Sequence, residues 1–141
     1  MKVSTKGRYA IRAVLDLARQ PGNSPIQVKD ICHRQDISEA YLEQILNQLR
    51  ASGLVRSYIG PKGGFLLSRK PEKIILIEIF QAAEGSTALV DCVDDLTFCP
   101  RAESCLARNL WAALKQHMDN VLCSYTLQDL VEGKITPENK K

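Results

Sequence analysis

Apolar residues recur at the spacing of amphipathic helices in three segments of the first half of the chain. The first helix is predicted to begin at Ser4 or Thr5 and to end before the sequence PGNSP at 21–25. A short second helix is predicted over 28–34 and a third over 38–53. The apolar stripe of the third helix consists of Tyr41, Leu42, Ile45, Leu46 and Leu49. The second and third helices together predict a helix-turn-helix.

The pattern changes to that of a β-hairpin directly after the third helix. Residues 54–59, LVRSYI, alternate between apolar and polar as a strand does, and 65–68, FLLS, are apolar enough to return as its partner. The glycine-rich GPKGG at 60–64 predicts the turn between them. A hairpin in this place is a wing, so the order of elements favours DNA binding over a small α+β enzyme domain.

Two further helices are predicted in the second half. The apolar run IILIEIF follows Pro71 and predicts a helix that ends near Glu84, and a longer helical pattern covers 102–122. The apolar face of the longer helix consists of Leu106, Leu110, Trp111, Leu114, Met118, Val121 and Leu122. A helix of about twenty residues spans roughly 30 Å, more than so small a domain covers by itself. We therefore expect two copies of this helix to pack together in a homodimer.

These elements predict a mostly α fold with a small β-hairpin, namely a winged helix-turn-helix followed by a long C-terminal dimerisation helix. The predicted parts are a DNA-binding domain at 1–84, a cysteine-rich loop at 85–105, and the dimerisation helix with a C-terminal tail at 106–141. A length of 141 residues suits one folded unit with such an extension.

Composition and charge narrow the class of protein. With 45% hydrophobic and 25% charged residues, neither wholesale disorder nor a membrane span is indicated. The amino terminus has no apolar run of signal-peptide type, so a cytoplasmic protein with reduced thiols is expected. Residues 1–70 carry 12 Lys and Arg against 5 Asp and Glu, whereas residues 71–141 carry 7 against 11. The basic first half suits a phosphate-binding surface, although a solvated lysine-rich face is the alternative.

Three cysteines lie close together in the segment DCVDDLTFCPRAESC, at Cys92, Cys99 and Cys105. Their number is odd for a disulfide framework, and they lack the closely paired spacing of a structural zinc site. Soft thiolates suit an iron-sulfur cluster, while burial without a ligand or a redox disulfide are the alternatives. Cys32 and Cys123 lie on helices among apolar residues and are expected to pack in the core or the dimer interface.

Three stretches, VSTKGRYAIRAVLDLA at 3–18, YLEQILNQLRASGLV at 41–55 and GPKGGFLL at 60–67, resemble the winged-helix family of iron-sulfur cluster regulators. The resemblance implies a dimeric transcription factor, such as a repressor, that binds a palindromic operator in double-stranded DNA. IscR-like and NsrR-like members hold an iron-sulfur cluster with three cysteines in this loop, whereas CymR-like members lack them. It thus implies cluster ligands at Cys92, Cys99 and Cys105, with a 2Fe-2S cluster favoured over 4Fe-4S.

The chain departs from the family pattern around the fourth ligand. IscR-like members have one residue fewer between the first two cysteines, and they keep a ligating histidine where this chain has Arg108, which stays protonated. NsrR-like members borrow an acidic residue from the partner's first helix, and Arg8 stands there here. His117 is too far along its helix to substitute. The remaining candidates are a partner-chain group, water, a small thiol, or one of Asp91, Asp94, Asp95 and Glu103.

The DNA-binding residues are expected on the solvent face of the third helix and on the basic first half. The residues expected nearest the bases are Ser38, Ala40, Glu43 and Gln44, with Tyr41 beside them. The residues expected on phosphates are Lys6, Arg8, Tyr9, Arg50, Arg56 and Lys62. Glu43 either accepts a hydrogen bond from a cytosine amino group or is a solvated helix charge. IscR-like wings carry an arginine that enters the minor groove, where this chain has Ile59.

The predicted function is a dimeric regulator whose operator binding is modulated by the cysteine loop, which joins the core to the dimer helix. The alternative is a thiol-based redox-sensing repressor of the same fold without a cluster. Enzymatic activity is not expected, because no constellation of His, Cys and carboxylate recurs and residues 60–64 lack the strand-to-helix setting of a phosphate loop.

Overall fold

The computed structural model describes residues 1–137, and the last four residues of the predicted C-terminal tail lie outside this range. The predicted mostly helical fold with one β-hairpin is confirmed. The helices are α1 (Thr5–Arg19), α2 (Val28–Gln35), α3 (Glu39–Ala51), α4 (Leu76–Glu84), α5 (Leu106–Ser124) and α6 (Leu127–Val131), and the strands are β1 (Val55–Tyr58) and β2 (Gly64–Leu67).

α1 begins where its capping residue predicts. The Ser4 hydroxyl accepts a hydrogen bond from the backbone N–H of Gly7 at 3.0 Å, which satisfies one of the unpaired donors at the start of the helix. The same hydroxyl donates to the carboxylate of Glu84 at the end of α4. The buried face of α1 includes Ala13, Val14 and Leu17, so this helix forms one wall of the core.

The helix-turn-helix is formed by α2 and α3. Asp36 adopts a left-handed conformation with φ of 53° after α2, which turns the chain towards α3. Ser38 occupies the N-cap position as predicted, although its side chain makes no capping hydrogen bond. The buried residues of α3 are Leu42, Ile45, Leu46 and Leu49, as the apolar stripe predicts. Gly53, with φ of +78°, follows the end of the helix.

The wing is an antiparallel hairpin that is fastened to the body of the protein. β1 and β2 pair in register from Val55 opposite Leu67 to Tyr58 opposite Gly64. A contact that the sequence pattern missed is the bridge between Ile26 and Phe65, with N–H···O distances of 2.9 and 2.8 Å. A Cβ on Gly64 would lie 2.1 Å from the Ile26 oxygen, so only glycine permits this approach.

The second half differs from its prediction at three helix starts. α4 begins at Leu76, after a 3-10 turn at Pro71–Lys73, and α5 begins at Leu106 instead of near 102 because Ala102–Ser104 form a separate 3-10 turn. α6 was not predicted at all. Its capping box, in which Thr126 and Asp129 exchange backbone and side-chain hydrogen bonds, is a signal that the sequence contains.

The winged unit consists of α1–α4 and the hairpin, and the chain after α5 returns to the core of this unit. The backbone N–H of Leu76 donates to Tyr125 O at 3.0 Å, and that of Leu127 donates to Ile74 O at 2.8 Å. The side chain of Leu127 is 0% exposed and belongs to the same core cluster as the buried residues of α1, α3 and α4. α5, by contrast, contributes no buried residue. Across residues 1–137, every helix is too short or too polar to cross a lipid bilayer.

Candidate nucleic-acid interface and cysteine loop

The residues predicted to read bases lie on the accessible face of α3. Ser38, Ala40, Glu43 and Gln44 are all exposed, and the buried stripe of the helix faces the core. Residues three or four positions apart lie on the same face of a helix. The exposed residues and the buried stripe therefore lie on opposite faces of α3. Side chains on this face therefore do not pack in the core and are accessible to a partner.

Tyr41 is half-buried and packs on Tyr9 of α1. The two ring centroids are 5.6 Å apart with an interplanar angle of 73°, an edge-to-face arrangement. The guanidinium carbon of Arg12 lies 5.3 Å from the centre of the Tyr9 ring. Tyr9 and Tyr41, both included in the predicted DNA-binding set, thus also join α1 to the first turn of α3.

A buried carboxylate links α1 to α2 and was missed by the sequence reasoning. Asp16 is 3% exposed, and Arg34 binds it in a bidentate manner with distances of 2.7 Å from Nη2 and 3.0 Å from Nε. Gln35 Nε2 donates to the same carboxylate at 3.0 Å, and Gln35 Oε1 accepts from Arg12 Nε at 3.2 Å. The hydrogen bond to Asp16 is the main cause that raises the pKa of Arg34. The available signal was that Asp16 interrupts the buried face of the first helix.

Basic side chains lie around the base and the tip of the wing. Arg50 Nη1 donates to Ser57 Oγ at 3.0 Å, which joins the end of α3 to β1. Arg50, Arg56 and Tyr58 line an open depression of about 570 Å³ between these elements. Lys62 is exposed at the tip. The positive charges predicted to bind phosphates are thus accessible on this part of the molecule.

Two further predicted phosphate ligands, Lys6 and Arg8, are exposed in the first turns of α1. Arg8 Nη2 donates to Thr5 Oγ1 at 3.2 Å, a contact that leaves its other guanidinium donors unengaged within the helix. Their position at the amino-terminal end of α1 is the one that the sequence predicts.

The cysteine loop is a series of short turns. The 3-10 turns are Asp91–Val93, Leu96–Phe98 and Ala102–Ser104. Cys92 lies in the first turn, Cys99 follows the second, and Cys105 is the N-cap of α5. All three thiols are half-buried and none forms a disulfide. Within residues 1–137, no three side chains of His, Cys, Asp or Glu are grouped to hold a metal ion, so the turns do not bring the three sulfurs around one point.

Arg108 holds the backbone of the first cysteine turn. Its Nε donates to the carbonyl of Cys92 at 2.7 Å, and its Nη2 donates to the carbonyl of Val93 at 3.2 Å. The sequence indicated that Arg108 does not ligate metal but contained no sign of this contact. The first turn of α5 is consequently tied to the loop that precedes it.

A second tie joins the start of the loop to the middle of α5. Thr87 donates to Asp119, and Lys115 Nζ lies 2.6 Å from Asp119 Oδ2. Burial raises the pKa of Asp119, but the hydrogen bonds from Lys115 and Thr87 outweigh it and lower the pKa overall. The first half of the segment between α4 and α5 is thereby attached to α5 at two points, Thr87 and the turn at Cys92.

Acidic groups of the loop are engaged in local hydrogen bonds. Asp94 accepts from Ser86, and Asp95 Oδ1 accepts from the Thr97 N–H at 2.9 Å and from its hydroxyl at 2.6 Å. The hydrogen bonds from Thr97 lower the pKa of Asp95. These hydrogen bonds orient both carboxylates within the loop.

The other two cysteines lie outside the loop. Burial raises the pKa of the Cys32 thiol, and the neighbouring charge of Glu39 raises it further, so Cys32 is predominantly protonated and weakly reactive. Cys123 is exposed on the single chain, so the expectation that it packs in the core is wrong. Its place in a dimer interface stays a prediction.

One face of α5 is apolar and uncovered in the single chain. Leu106, Leu110 and Val121 are all exposed. An apolar cavity of about 570 Å³ lies beside this helix, where Met118 and Leu122 meet Phe80 of α4 and the first residues of the chain. An uncovered face of this kind is typical of a surface that packs against another chain.

Comparisons with known proteins agree with this architecture. Residues 3–133 match a family model described as Rrf2, iron-dependent transcriptional regulator. The chain is 36% identical to protein rrf2 of Nitratidesulfovibrio vulgaris over 140 residues, covering 99% of this chain and 93% of that protein. The solved structure of CymR, the global cysteine regulator of B. subtilis, is 36% identical with a TM-score of 0.75, covering 94% of this chain and 97% of that one. IscR from T. potens is 34% identical with a TM-score of 0.76, covering 99% and 94%.

Proposed function

This chain belongs to the Rrf2 family of transcriptional regulators, and from that premise we propose that it binds a palindromic operator as a homodimer whose affinity is modulated by an iron-sulfur cluster on Cys92, Cys99 and Cys105. It is a regulator and not an enzyme, as the sequence predicted. The observation that carries the proposal is the position of three free, partly exposed thiols on the segment that joins the winged unit to α5.

The proposed reading of DNA divides between base edges and phosphates. We assign Ser38, Ala40, Glu43 and Gln44 to the bases, because their side chains are exposed and lie outside the apolar stripe that packs in the core. The residues assigned to phosphates are Lys6, Arg8, Arg50, Arg56 and Lys62. Tyr9 and Tyr41 stay in the DNA-binding set, since neither ring is fully buried by their mutual packing. Phosphate contacts supply affinity and base contacts supply preference.

The donor set of the loop fits a cluster chemically. Iron-sulfur clusters are held by thiolates, and three of them from one loop lower the entropic cost of assembly. The loop must rearrange to bring the three sulfurs together, because the side chains of residues 1–137 are not grouped around one point. When bound, the cluster supplies a centre sensitive to redox state and to small reactive molecules. A 2Fe-2S cluster is favoured and a 4Fe-4S cluster is the second choice.

A thiol-based redox repressor without a cluster is the second candidate. It is favoured by the absence of a group of three metal-ligating side chains within residues 1–137 and by the contact of Arg108 with the first cysteine turn. The likeness to a cysteine regulator extends over 94% of the chain, so the same fold serves both candidates. The two candidate functions share the same winged unit. They differ only in whether the cysteine loop binds a cluster or undergoes thiol oxidation.

Iron and sulfide content, with the absorption spectrum, tests the proposal on protein purified and reconstituted without oxygen. The intact chain is expected to be coloured, and alanine at Cys92, Cys99 or Cys105 should remove the colour and the iron. The matched controls are Cys32→Ala and Cys123→Ala, which should retain both. A colourless intact protein with normal DNA binding would favour the thiol-based repressor, and loss of iron in Cys123→Ala equal to that in Cys92→Ala would show a wrong ligand assignment.

A further inference from the structure

We propose that Ile59, at the tip of the wing, makes an apolar contact with the floor of the DNA minor groove and thereby selects flanking base pairs that lack a guanine amino group. The inference rests on the proposed DNA-binding function and adds to it a specificity residue that uses shape instead of charge. Three features of the structure support it.

The first feature is the exposure of Ile59. It is fully exposed, at 103% of its reference area, and it exceeds every other large hydrophobic residue within 1–137. The adjacent Tyr58 is also exposed. A single exposed aliphatic residue is ordinary on a protein surface, so exposure alone does not assign a partner. The assignment follows from where the residue lies and what surrounds it.

The second feature is the rigidity of the tip. Gln27 Nε2 donates to the carbonyl of Pro61 at 3.2 Å, and the N–H of Gly63 donates to Gly60 O at 2.9 Å. A Cβ on Gly63 would lie 2.2 Å from the Tyr58 carbonyl oxygen, so the turn closes tightly under the tip. Together with the bridge between Ile26 and Phe65, these contacts present Ile59 at a fixed position. A backbone that is already ordered loses little conformational entropy when the tip is bound.

The third feature is the charge around this apolar tip. Arg56 and Lys62 are exposed on the same hairpin, and Arg50 is attached to its base through Ser57. Cations flanking an uncharged residue fit a surface with anionic rims and an uncharged floor. A DNA groove has this arrangement, since phosphates line its edges and base edges form its floor.

The dimensions of the two grooves favour the minor one. The major groove is about 12 Å wide and accepts a helix, here α3, whereas the minor groove is about 6 Å wide and admits a hairpin tip but no helix. Isoleucine is among the apolar residues that proteins insert there. An aliphatic side chain forms no hydrogen bond with the acceptors of A·T pairs. It can still make van der Waals contact with the floor of the groove, because no group projects from these pairs. The amino group at position 2 of guanine projects from the floor and blocks this approach.

Base analogues in the flanks of an operator test the contact. The operator is first obtained by selection from random DNA with the intact protein. Diaminopurine in place of adenine adds the minor-groove amino group, and inosine in place of guanine removes it, while the readout positions in the major groove are largely kept. The added group should weaken wild-type binding by about fivefold to a hundredfold, the range for one unfavourable base pair. In Ile59→Ala the two analogues should have little effect.

Three control variants distinguish the contact of Ile59 with the minor groove from the contacts with phosphates and with the major groove. Lys62→Ala should weaken binding to all sequences alike and keep the sensitivity to the amino group. Glu43→Ala should change preference within the recognition-helix site and keep that sensitivity too. Ile75→Ala truncates another exposed isoleucine, outside the wing, and should behave as wild type.

Two results would overturn the inference. Equal sensitivity of wild type and Ile59→Ala to diaminopurine would remove Ile59 from the groove while leaving the proposed function intact. Failure of selection to enrich any sequence with the intact protein would remove the proposed sequence reading and this inference with it.

Discussion

Single residues of the winged unit are not equally replaceable, and the pair of Asp16 and Arg34 shows why. The carboxylate is buried, whereas the Arg34 side chain is 37% exposed. A buried charge costs several kcal/mol unless it is paired, but an exposed guanidinium regains water when it loses its partner. The two truncations of this ion pair therefore have unequal consequences.

Arg34→Ala is predicted to lower the free energy of unfolding by about 3 kcal/mol, because it leaves Asp16 buried with Gln35 as its remaining side-chain donor. Asp16→Ala should cost less, since Arg34 turns towards solvent. Urea unfolding measures both. Arg69→Ala breaks a more exposed pair with Glu78 and should cost about 1 kcal/mol or less. Equal losses for Arg34→Ala and Asp16→Ala would contradict this account.

At the scale of elements, α5 is the helix that the single chain does not bury. Its 19 residues extend over about 28 Å, and Leu110 near its start is 54% exposed. Its first turn is attached to the cysteine loop through Arg108, and the chain that follows its last turn is attached to the winged unit at Ile74. The uncovered face is therefore held in a fixed orientation, and the proposed homodimer would cover it.

Leu110→Glu is predicted to convert the proposed dimer to a monomer, because it places a charge within an apolar contact. The measurement is molar mass by sedimentation, followed by operator affinity, which should fall with the loss of the second half-site. Gln116→Glu adds the same charge at an exposed polar position of α5 and should remain dimeric. A dimeric Leu110→Glu protein would exclude this face as the interface.

The elements with strong local periodicity were predicted from the sequence, and those stabilised by distant contacts were not. The apolar stripe of α3 predicts both its buried and its exposed face, so the candidate base-reading residues followed from the same pattern. The bridge of Ile26 to Phe65 joins residues far apart in the chain, and local spacing carries no sign of it. The pairing of Tyr9 with Tyr41 and the hold of Arg108 on Cys92 were missed for the same reason.

At the scale of the whole molecule, the winged unit includes residues from both ends of the chain. Leu127 is part of the core cluster with Val14 of α1 and Ile79 of α4, although it follows the predicted dimerisation helix. Ile75 pairs with Thr126 in an isolated bridge that fixes the return of the chain. The stability of the DNA-binding surface thus depends on a segment that follows the cysteine loop.

Leu127→Ala is predicted to lower the free energy of unfolding by about 2–5 kcal/mol, because it removes a fully buried leucine. Thermal or urea unfolding measures this loss of stability, and operator binding reports whether the winged unit is still folded. Thr136→Ala, at an exposed residue after α6, leaves Leu127 and Ile135 in the core and should be nearly neutral. If Leu127→Ala changes dimerisation but leaves the stability of the winged unit intact, α6 is not part of its core.

Leu127 also bears on how the protein is made. The ribosome synthesises α1 first and α6 last, so the core that contains Leu127 is complete only when almost the whole chain has been synthesised. Cys92, Cys99 and Cys105 emerge before that closure. The nascent protein therefore presents its thiols to whatever loads or oxidises them before its DNA-binding surface is complete, and the state of the loop can be established before the regulator first meets an operator.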